Sequence, residues 1–457
     1  MATYGDNVAL IESDTGKQWT YSELCELIPR VAGGLAECGV GLGDRVLCLT
    51  PIHIDYTLYL LAIIYRGAIC VPINPTLTTD ELVHVIRVSE ARWAVIHEAS
   101  VPLVESAYTH IQPKHTLRHM WVIGTVQDKP NLQHLIQHQP IPPITESDGL
   151  VYDAMAAMMP FSSGTTGLPK GSTTVCLSKY THEAFLHTIQ RYKITMCPLV
   201  PHLVKYLSDT PLLSKYNISS VKAVLSAAAP IAANTINTFG KKTGLPVSRG
   251  YGMTETYGAV TLTTPSPEDN AYTVGKVIPY SQVKVINKAG KLLCEGEEGE
   301  VCTRGAGMML GYANNPTATS ATLDSDGWIH TGDIGYYDKH DFLYITDRSK
   351  DLIKVKGYQV SPHELEEIVS RHECVCDVAV VGVEDKRSGE APRAFVVLKP
   401  NTHVNASQLK KYVAERVASY KQLSGGVKFV NVIPRNPTGK ILKRKLKESD
   451  IVPTSKL

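Results

Sequence analysis

The sequence predicts an α/β protein with a large N-terminal domain of layered α/β sheets, a small β-rich subdomain within it, and a small, mobile α+β domain at the C-terminal end. Three observations predict this. Capped helices alternate with apolar strand-like runs over roughly the first hundred residues, the pattern of a substantially parallel sheet. From Pro265 to Tyr344 glycines, turn pairs and short β-prone runs take over. Near Asp347 a charged run, Asp347-Arg-Ser-Lys-Asp351, separates off about a hundred residues of mixed strand and helix, enough to fold as a domain. The expected boundaries are 1–346 for the N-terminal domain, with its β-rich part at about 265–346, and 347–457 for the C-terminal domain.

The elements follow in order. Thr20-Tyr-Ser-Glu23 is a capping box, and Leu24, Leu27, Ile28, Val31 and Leu35 fall at helical spacing before Gly39 stops the helix. Val46–Leu49 reads as a buried strand. Thr78-Thr-Asp-Glu81 opens a second capped helix, and Trp93–Ile96 is the next strand. Val283–Ile286 and Gly299–Thr303 are the strand-like runs of the β-rich part. In the last domain Ser361-Pro-His-Glu364 predicts a helix start, with serine as cap, proline in the first turn and the glutamate reaching back.

The chain has 457 residues, 43% of them apolar and 20% charged, and a formal net charge of +2. Such a balance supplies a sizeable core and argues against a nucleic-acid or membrane-surface partner. Its greasiest stretch, Tyr56–Val71, is broken by Arg66 and falls short of a membrane span. The ten cysteines have no framework spacing, so they read as reduced, buried or half-buried thiols. The start lacks the basic and apolar blocks of a signal peptide. Ser455-Lys456-Leu457 closes the chain as the tripeptide that the peroxisomal import receptor reads, which predicts that receptor as a partner and the peroxisome as the location.

Chemistry concentrates first in Phe161-Ser-Ser-Gly-Thr-Thr-Gly-Leu-Pro-Lys-Gly171. Glycines let backbone N–H groups approach a polyanion, hydroxyls add donors, and a lysine neutralises phosphate charge. Leu168 and Pro169 separate the preceding glycine from Lys170, so this is not a Walker loop, and the composition alone also suits a ligand-free surface loop. Downstream come Ser248-Arg-Gly-Tyr-Gly-Met-Thr-Glu-Thr256, Gly327-Trp-Ile-His-Thr-Gly-Asp-Ile-Gly335, Asp347-Arg348 through Lys356-Gly-Tyr-Gln-Val-Ser-Pro-His-Glu364, and Asn436-Pro-Thr-Gly-Lys-Ile-Leu442.

In that order these stretches resemble the signatures of the adenylate-forming superfamily, which includes acyl-CoA synthetases, 4-coumarate–CoA ligases and beetle luciferases. The resemblance runs from about Ala9 to Lys447. It implies ATP and CoA as co-substrates, Mg²⁺ as cofactor and a carboxylic acid activated as its adenylate. Ser162, Ser163, Gly164, Thr165, Thr166, Gly167 and Lys170 would cradle phosphate, with Ala229, Gly250, Tyr251 and Gly252 around the adenine. Thr254 would donate to the α-phosphate, Glu255 would hold the metal, Asp333 would accept from the ribose hydroxyls, and Arg348 would bind ribose or phosphate oxygens. Lys440 would stabilise the attack of one anion on another, as the catalytic lysine of adenylation. Lys350 would be the hinge about which the small domain rotates, presenting Lys354 to the adenylate and Lys356 and Gly357 to CoA. Ala227, Ala228 and Gln359 would border the acyl pocket.

The chain departs from the family directly after Gly171. There Ser172-Thr-Thr-Val-Cys-Leu-Ser-Lys-Tyr180 matches family sequence that comes much later, so on the order of fifty to sixty residues are absent, among them a buried strand, two helices and part of the acyl pocket. Removing such elements is expected to leave apolar faces unpartnered. Ser226-Ala-Ala-Ala-Pro230 stands where the family often has Ser-Gly-Gly-Ala-Pro, and the added methyls are expected to narrow the pocket. The expected activity is acid–CoA ligation. A luciferase-like oxygenase and a catalytically impaired, nucleotide-binding short form are the alternatives.

Overall fold

The computed structural model describes residues 4–111, 117–150, 156–158, 172–264, 271–348, 351–356, 358–385, 387–435, 441–443 and 445–447. The chain packs as two compact units, the first built from Met1–Ile194, Ser214–Ser220 and Met309–Thr319, the second from Thr195–Leu213, Val221–Met308 and Ser320–Leu457.

In the first unit β1 (Val8–Glu12), β2 (Gln18–Thr20) and β7 (Thr174–Cys176) form a small sheet in the order β2-β1-β7. A second, wholly parallel sheet has the order β4-β3-β5-β6, from β3 (Arg45–Leu49), β4 (Ile69–Ile73), β5 (Trp93–His97) and β6 (His119–Ile123). Alternate residues of its strands enter different cores. Val46, Cys48, Trp93 and Val95 pack with the helices Tyr21–Glu37 and Ile54–Tyr65, while Leu47, Leu49, Ala94 and Ile96 pack with Thr79–Ser89 and Val101–Thr109. A sheet covered on both faces needs continuous apolar strands, which is why these runs do not alternate in polarity. Both capping boxes form: Thr20 and Glu23 bond reciprocally, as do Thr78 and Glu81.

The second unit holds three sheets. The first has the order β12-β11-β10-β9-β8, from β8 (Met196–Leu199), β9 (Ala223–Ser226), β10 (Val247–Met253), β11 (Gly258–Leu262) and β12 (Lys276–Val277). Its strands β8, β9 and β10 run parallel, and β10 to β12 antiparallel. The second is an antiparallel meander of β13 (Ser281–Ile286), β14 (Gly299–Gly305), β15 (Ile329–Tyr337) and β16 (Leu343–Arg348). The third comprises β17 (Ile353–Val355), β18 (Tyr358–Val360), β19 (Val375–Asp385), β20 (Gly389–Leu398) and β21 (Gly426–Phe429), centred on β20. Helices Pro362–Ser370 and Ala406–Ala414 cover it through Leu365, Val369, Leu409 and Val413.

Two expectations need correction. Ser361 does cap its helix by accepting from the Glu364 N–H, but Glu364 does not reach back; its carboxylate takes both its bonds from the Lys421 ammonium, at 2.7 and 2.8 Å. A nearby lysine outcompetes the backbone amide for that carboxylate. Nor are all the thiols covered, since Cys25 and Cys294 are exposed. Among the described residues no helix is long and apolar enough to cross a membrane.

Candidate functional site

The site is assembled by an irregularity in the meander. Glu300 of β14 pairs with Ile334 of β15, yet Cys302, two residues on, pairs with His330. The stretch Thr331–Asp333 therefore stands against Val301 alone, two residues in excess, and bulges, with Gly332 taking the positive φ of 69° that favours glycine. The bulge is pinned rather than loose. Thr331 Oγ1 donates to the Val301 carbonyl at 2.6 Å and accepts from the Asp333 N–H, and the Gly332 N–H points to Glu300 Oε1 at 3.3 Å.

Its product is a buried carboxylate with two donors. Asp333 is 3% exposed. Across the ladder its register partner is Arg348 on β16, whose Nε donates to Asp333 Oδ1 at 2.8 Å. Tyr251 of β10 donates its hydroxyl to Asp333 Oδ2 at 2.7 Å. Burial, and then the charge of Asp333, push the Tyr251 hydroxyl well above the usual phenol range, so it remains a donor. Arg348 keeps 44% of its side chain exposed and so can also face a ligand. A carboxylate oxygen offers two lone pairs, so each Asp333 oxygen retains acceptor capacity beyond these bonds.

Tyr251 lies in Gly250-Tyr-Gly252, and the structure gives Gly252 a duty separate from making room for a base. A Cβ there would stand 1.9 Å from the Gly258 carbonyl oxygen of β11, where the β10–β11 register shifts. Directly after β10, Thr254 and Glu255 form a single 3₁₀ turn, half-buried, at the carboxyl end of a strand parallel to β9. The loop after β9, Ala227–Ala229, leaves from the same edge of the sheet, where open α/β sheets bind ligands. Ala228 adopts φ 76° and is exposed. The methyl expected to narrow a pocket therefore acts first on the backbone, placing a side chain where glycine is preferred.

The profile of the AMP-binding enzyme family matches residues 1–174 and 170–313, and that of the AMP-binding enzyme C-terminal domain matches residues 364–440. The chain belongs to the AMP-binding enzyme family. A 4-coumarate–CoA ligase of Arabidopsis thaliana is 32% identical over 98% of this chain and 89% of its own length. The luciferin 4-monooxygenase of Photinus pyralis is 30% identical over 94% and 88%. Among solved structures, an ATP-bound RpMatB–BxBclM chimera superposes with a TM-score of 0.86 at 25% identity, covering 98% of this chain and 96% of that one. An anthranilate–CoA ligase in complex with anthranoyl-AMP shares the fold at a TM-score of 0.85 and 24% identity, covering 97% and 94%. This AMP-binding enzyme thus has the adenylate-forming fold of a large N-terminal and a small C-terminal domain.

The family match comes in two pieces that overlap at 170–174, where the sequence reading expects a segment to be absent. The alignment to the Arabidopsis ligase spans 514 positions, more than the chain possesses, so it opens gaps in this chain. On the C-terminal side of the junction this AMP-binding enzyme rejoins its sheet at once, with β7 parallel to β1 and Cys176 buried.

Of the residues expected at the site, Tyr251, Asp333 and Arg348 are brought into direct contact. Lys354 lies exposed on β17, opposite Gln359 of β18 in the hairpin register, and Lys356 occupies the turn between those strands with φ 49°. Ser162, Ser163, Gly164, Thr165, Thr166, Gly167, Lys170, Lys350, Gly357 and Lys440 lie outside the described residues, as does the side chain of Gln359. The sequence reading missed Thr331 and Glu300, the residues that hold the bulge. No local signal marks them, because their role depends on which residue of β14 faces which of β15. It also missed Glu366 on the helix Pro362–Ser370. Burial pushes its carboxyl up to about 7, opposed by Lys443 and by a bond from the Val380 N–H, and reinforced by nearby Asp347.

Proposed function

We propose that this AMP-binding enzyme is an ATP-dependent acid–CoA ligase acting on a carboxylic acid of the 4-coumarate type. The carrying observation is the buried Asp333 carboxylate, held by Tyr251 and Arg348 and suited to accept from both ribose hydroxyls of ATP. Relatives named 4-coumarate–CoA ligase, aligned over nearly the whole chain, support the acid class. In the first half-reaction a carboxylate oxygen bonds to the α-phosphorus as the α–β bridge breaks and pyrophosphate leaves. In the second, the CoA sulfur bonds to the acyl carbon, the thiol proton is lost and AMP departs. Lys440 would stabilise the charge of the first step, and Lys354 would serve the second. Thr254 would donate to the α-phosphate. Glu255, a hard oxygen ligand in the turn after β10, suits Mg²⁺, which would neutralise phosphate charge when bound.

The test is acid-dependent pyrophosphate release with a panel of hydroxycinnamic, benzoic and fatty acids, followed by thioester formation with CoA. Lys440→Ala should abolish the first product. Bound ATP with neither product across the panel would favour an impaired short form, the reading motivated by the break at 170–174. Light from luciferin would favour the oxygenase seen among the relatives. We also propose a peroxisomal address in Ser455–Leu457, outside the described residues; a fluorescent fusion should leave the organelle when that tripeptide is removed.

A further inference from the structure

A second cluster lies on the same meander. Cys302 and His330 are cross-strand partners on β14 and β15, and Glu300, two residues before Cys302, shares its face. His330 Nδ1 is 3.2 Å from Glu300 Oε2 and 3.7 Å from Cys302 Sγ, and the three ligand atoms all lie within 4.8 Å of one another. Zinc ligands at about 2.0–2.3 Å from the ion stand roughly 3.3–3.7 Å apart across a tetrahedron. Two edges of such a face are already at that spacing.

The remaining ring nitrogen is also provided for. His330 Nε2 lies 3.4 Å from Asp324 Oδ2. A carboxylate beside the far nitrogen accepts a hydrogen bond from its N–H, fixes the tautomer and turns the Nδ1 lone pair toward the ion, the usual outer support of a metal-bound imidazole. Asp324 is itself held by the Trp328 and Asp326 N–H groups. Cys302 is fully buried, while Glu300, His330 and Asp324 each keep about a third of their side chains exposed, which gives an ion a way in. Two cations stand nearby: Lys284, the partner of Cys302 on β13, with its ammonium 4.2 Å over the Trp328 ring, and Arg304, with its guanidinium 4.6 Å over the same ring.

We propose that Glu300, Cys302 and His330 bind a zinc-class divalent cation, with Asp324 as the orienting carboxylate and the fourth position left to water. The mixed sulfur, nitrogen and oxygen set selects zinc or cobalt over magnesium, which requires hard oxygen ligands. This is separate from any metal carried with ATP.

The experiment is titration of metal-free full-length protein with Co²⁺, read by thiolate-to-metal charge-transfer absorption, in the presence of excess Mg²⁺. The expected result is one saturable site with that band, unmoved by Mg²⁺ and displaced by Zn²⁺. The band should vanish in Cys302→Ser, while His330→Gln and Asp324→Asn should bind about ten- to a hundredfold more weakly. No band in the wild type, or a band that survives in Cys302→Ser, overturns the proposal. Should the serine variant fail to fold, wild-type affinity in His330→Gln overturns it equally.

Discussion

Replacing Asp333 by Asn isolates what the buried carboxylate does. The change removes the charge and one acceptor oxygen while keeping shape. Asp333 now takes one bond from the Tyr251 hydroxyl and one from Arg348 Nε. Hydrogen bonds to charged groups are each worth about 1.5–3 kcal/mol, and Arg348, 44% exposed, recovers part of its loss from water. The amide oxygen still accepts one bond, so the fold should lose about 2 kcal/mol by denaturant titration. If the carboxylate also accepts from ribose, ATP binding loses a further charge-assisted bond, which is roughly a tenfold to hundredfold rise in Kd by calorimetry without acid substrate. Tyr251→Phe is the control, removing a donor to Asp333 but no acceptor for ribose, and it should lower stability more than ATP affinity. The reasoning fails if Asp333→Asn loses stability as stated and binds ATP as the wild type does, because the carboxylate would then be purely structural.

Two further outcomes follow from particular residues. Ala228→Gly relieves a left-handed alanine that costs about 1–2 kcal/mol, less about 0.4–1 kcal/mol of added freedom in the unfolded chain, so stability by denaturant titration should rise by up to about 1.5 kcal/mol. Glu366, raised by burial from 4.5 to about 7, is protonated in both states below about pH 4.5; above it the unfolded chain ionises first, so stability falls until the folded group ionises near 7. Glu366→Gln should therefore match the wild type near pH 4 and exceed it by roughly 3 kcal/mol at pH 8, and a gap constant with pH would refute the assignment.

What the sequence made legible was local. The capping boxes at Thr20 and Thr78, the buried strands at Val46 and Trp93, and the helix start at Ser361 all rest on contacts between residues a few positions apart. Tyr251, Asp333 and Arg348 stood out by motif, but their mutual contact did not, because it is set by pairing across β15 and β16 and by the approach of β10. Tyr251 was expected to serve through its ring; the structure adds its hydroxyl. The strain at Ala228 was visible only as an alanine where glycine is usual, and its physical form, a positive φ, needed the backbone. Likewise Glu366 looks in sequence like one acid in an ordinary Glu-rich helix, and only its packing among Asp347, Lys443 and Val380 shifts it.

The bulge at Thr331–Asp333 also has a bearing on how the chain tolerates change in length. From Glu300 to Cys302 β14 advances two residues, while its partner advances four, from Ile334 back to His330. Deleting two residues there would restore an unbroken β14–β15 ladder, a local gain in regularity, and would dismantle the bulge that carries Asp333. Deleting one would turn alternate side chains to the opposite face. Insertion and deletion are usually best tolerated near turns and irregularities, yet at this irregularity the number of residues matters as much as their identity.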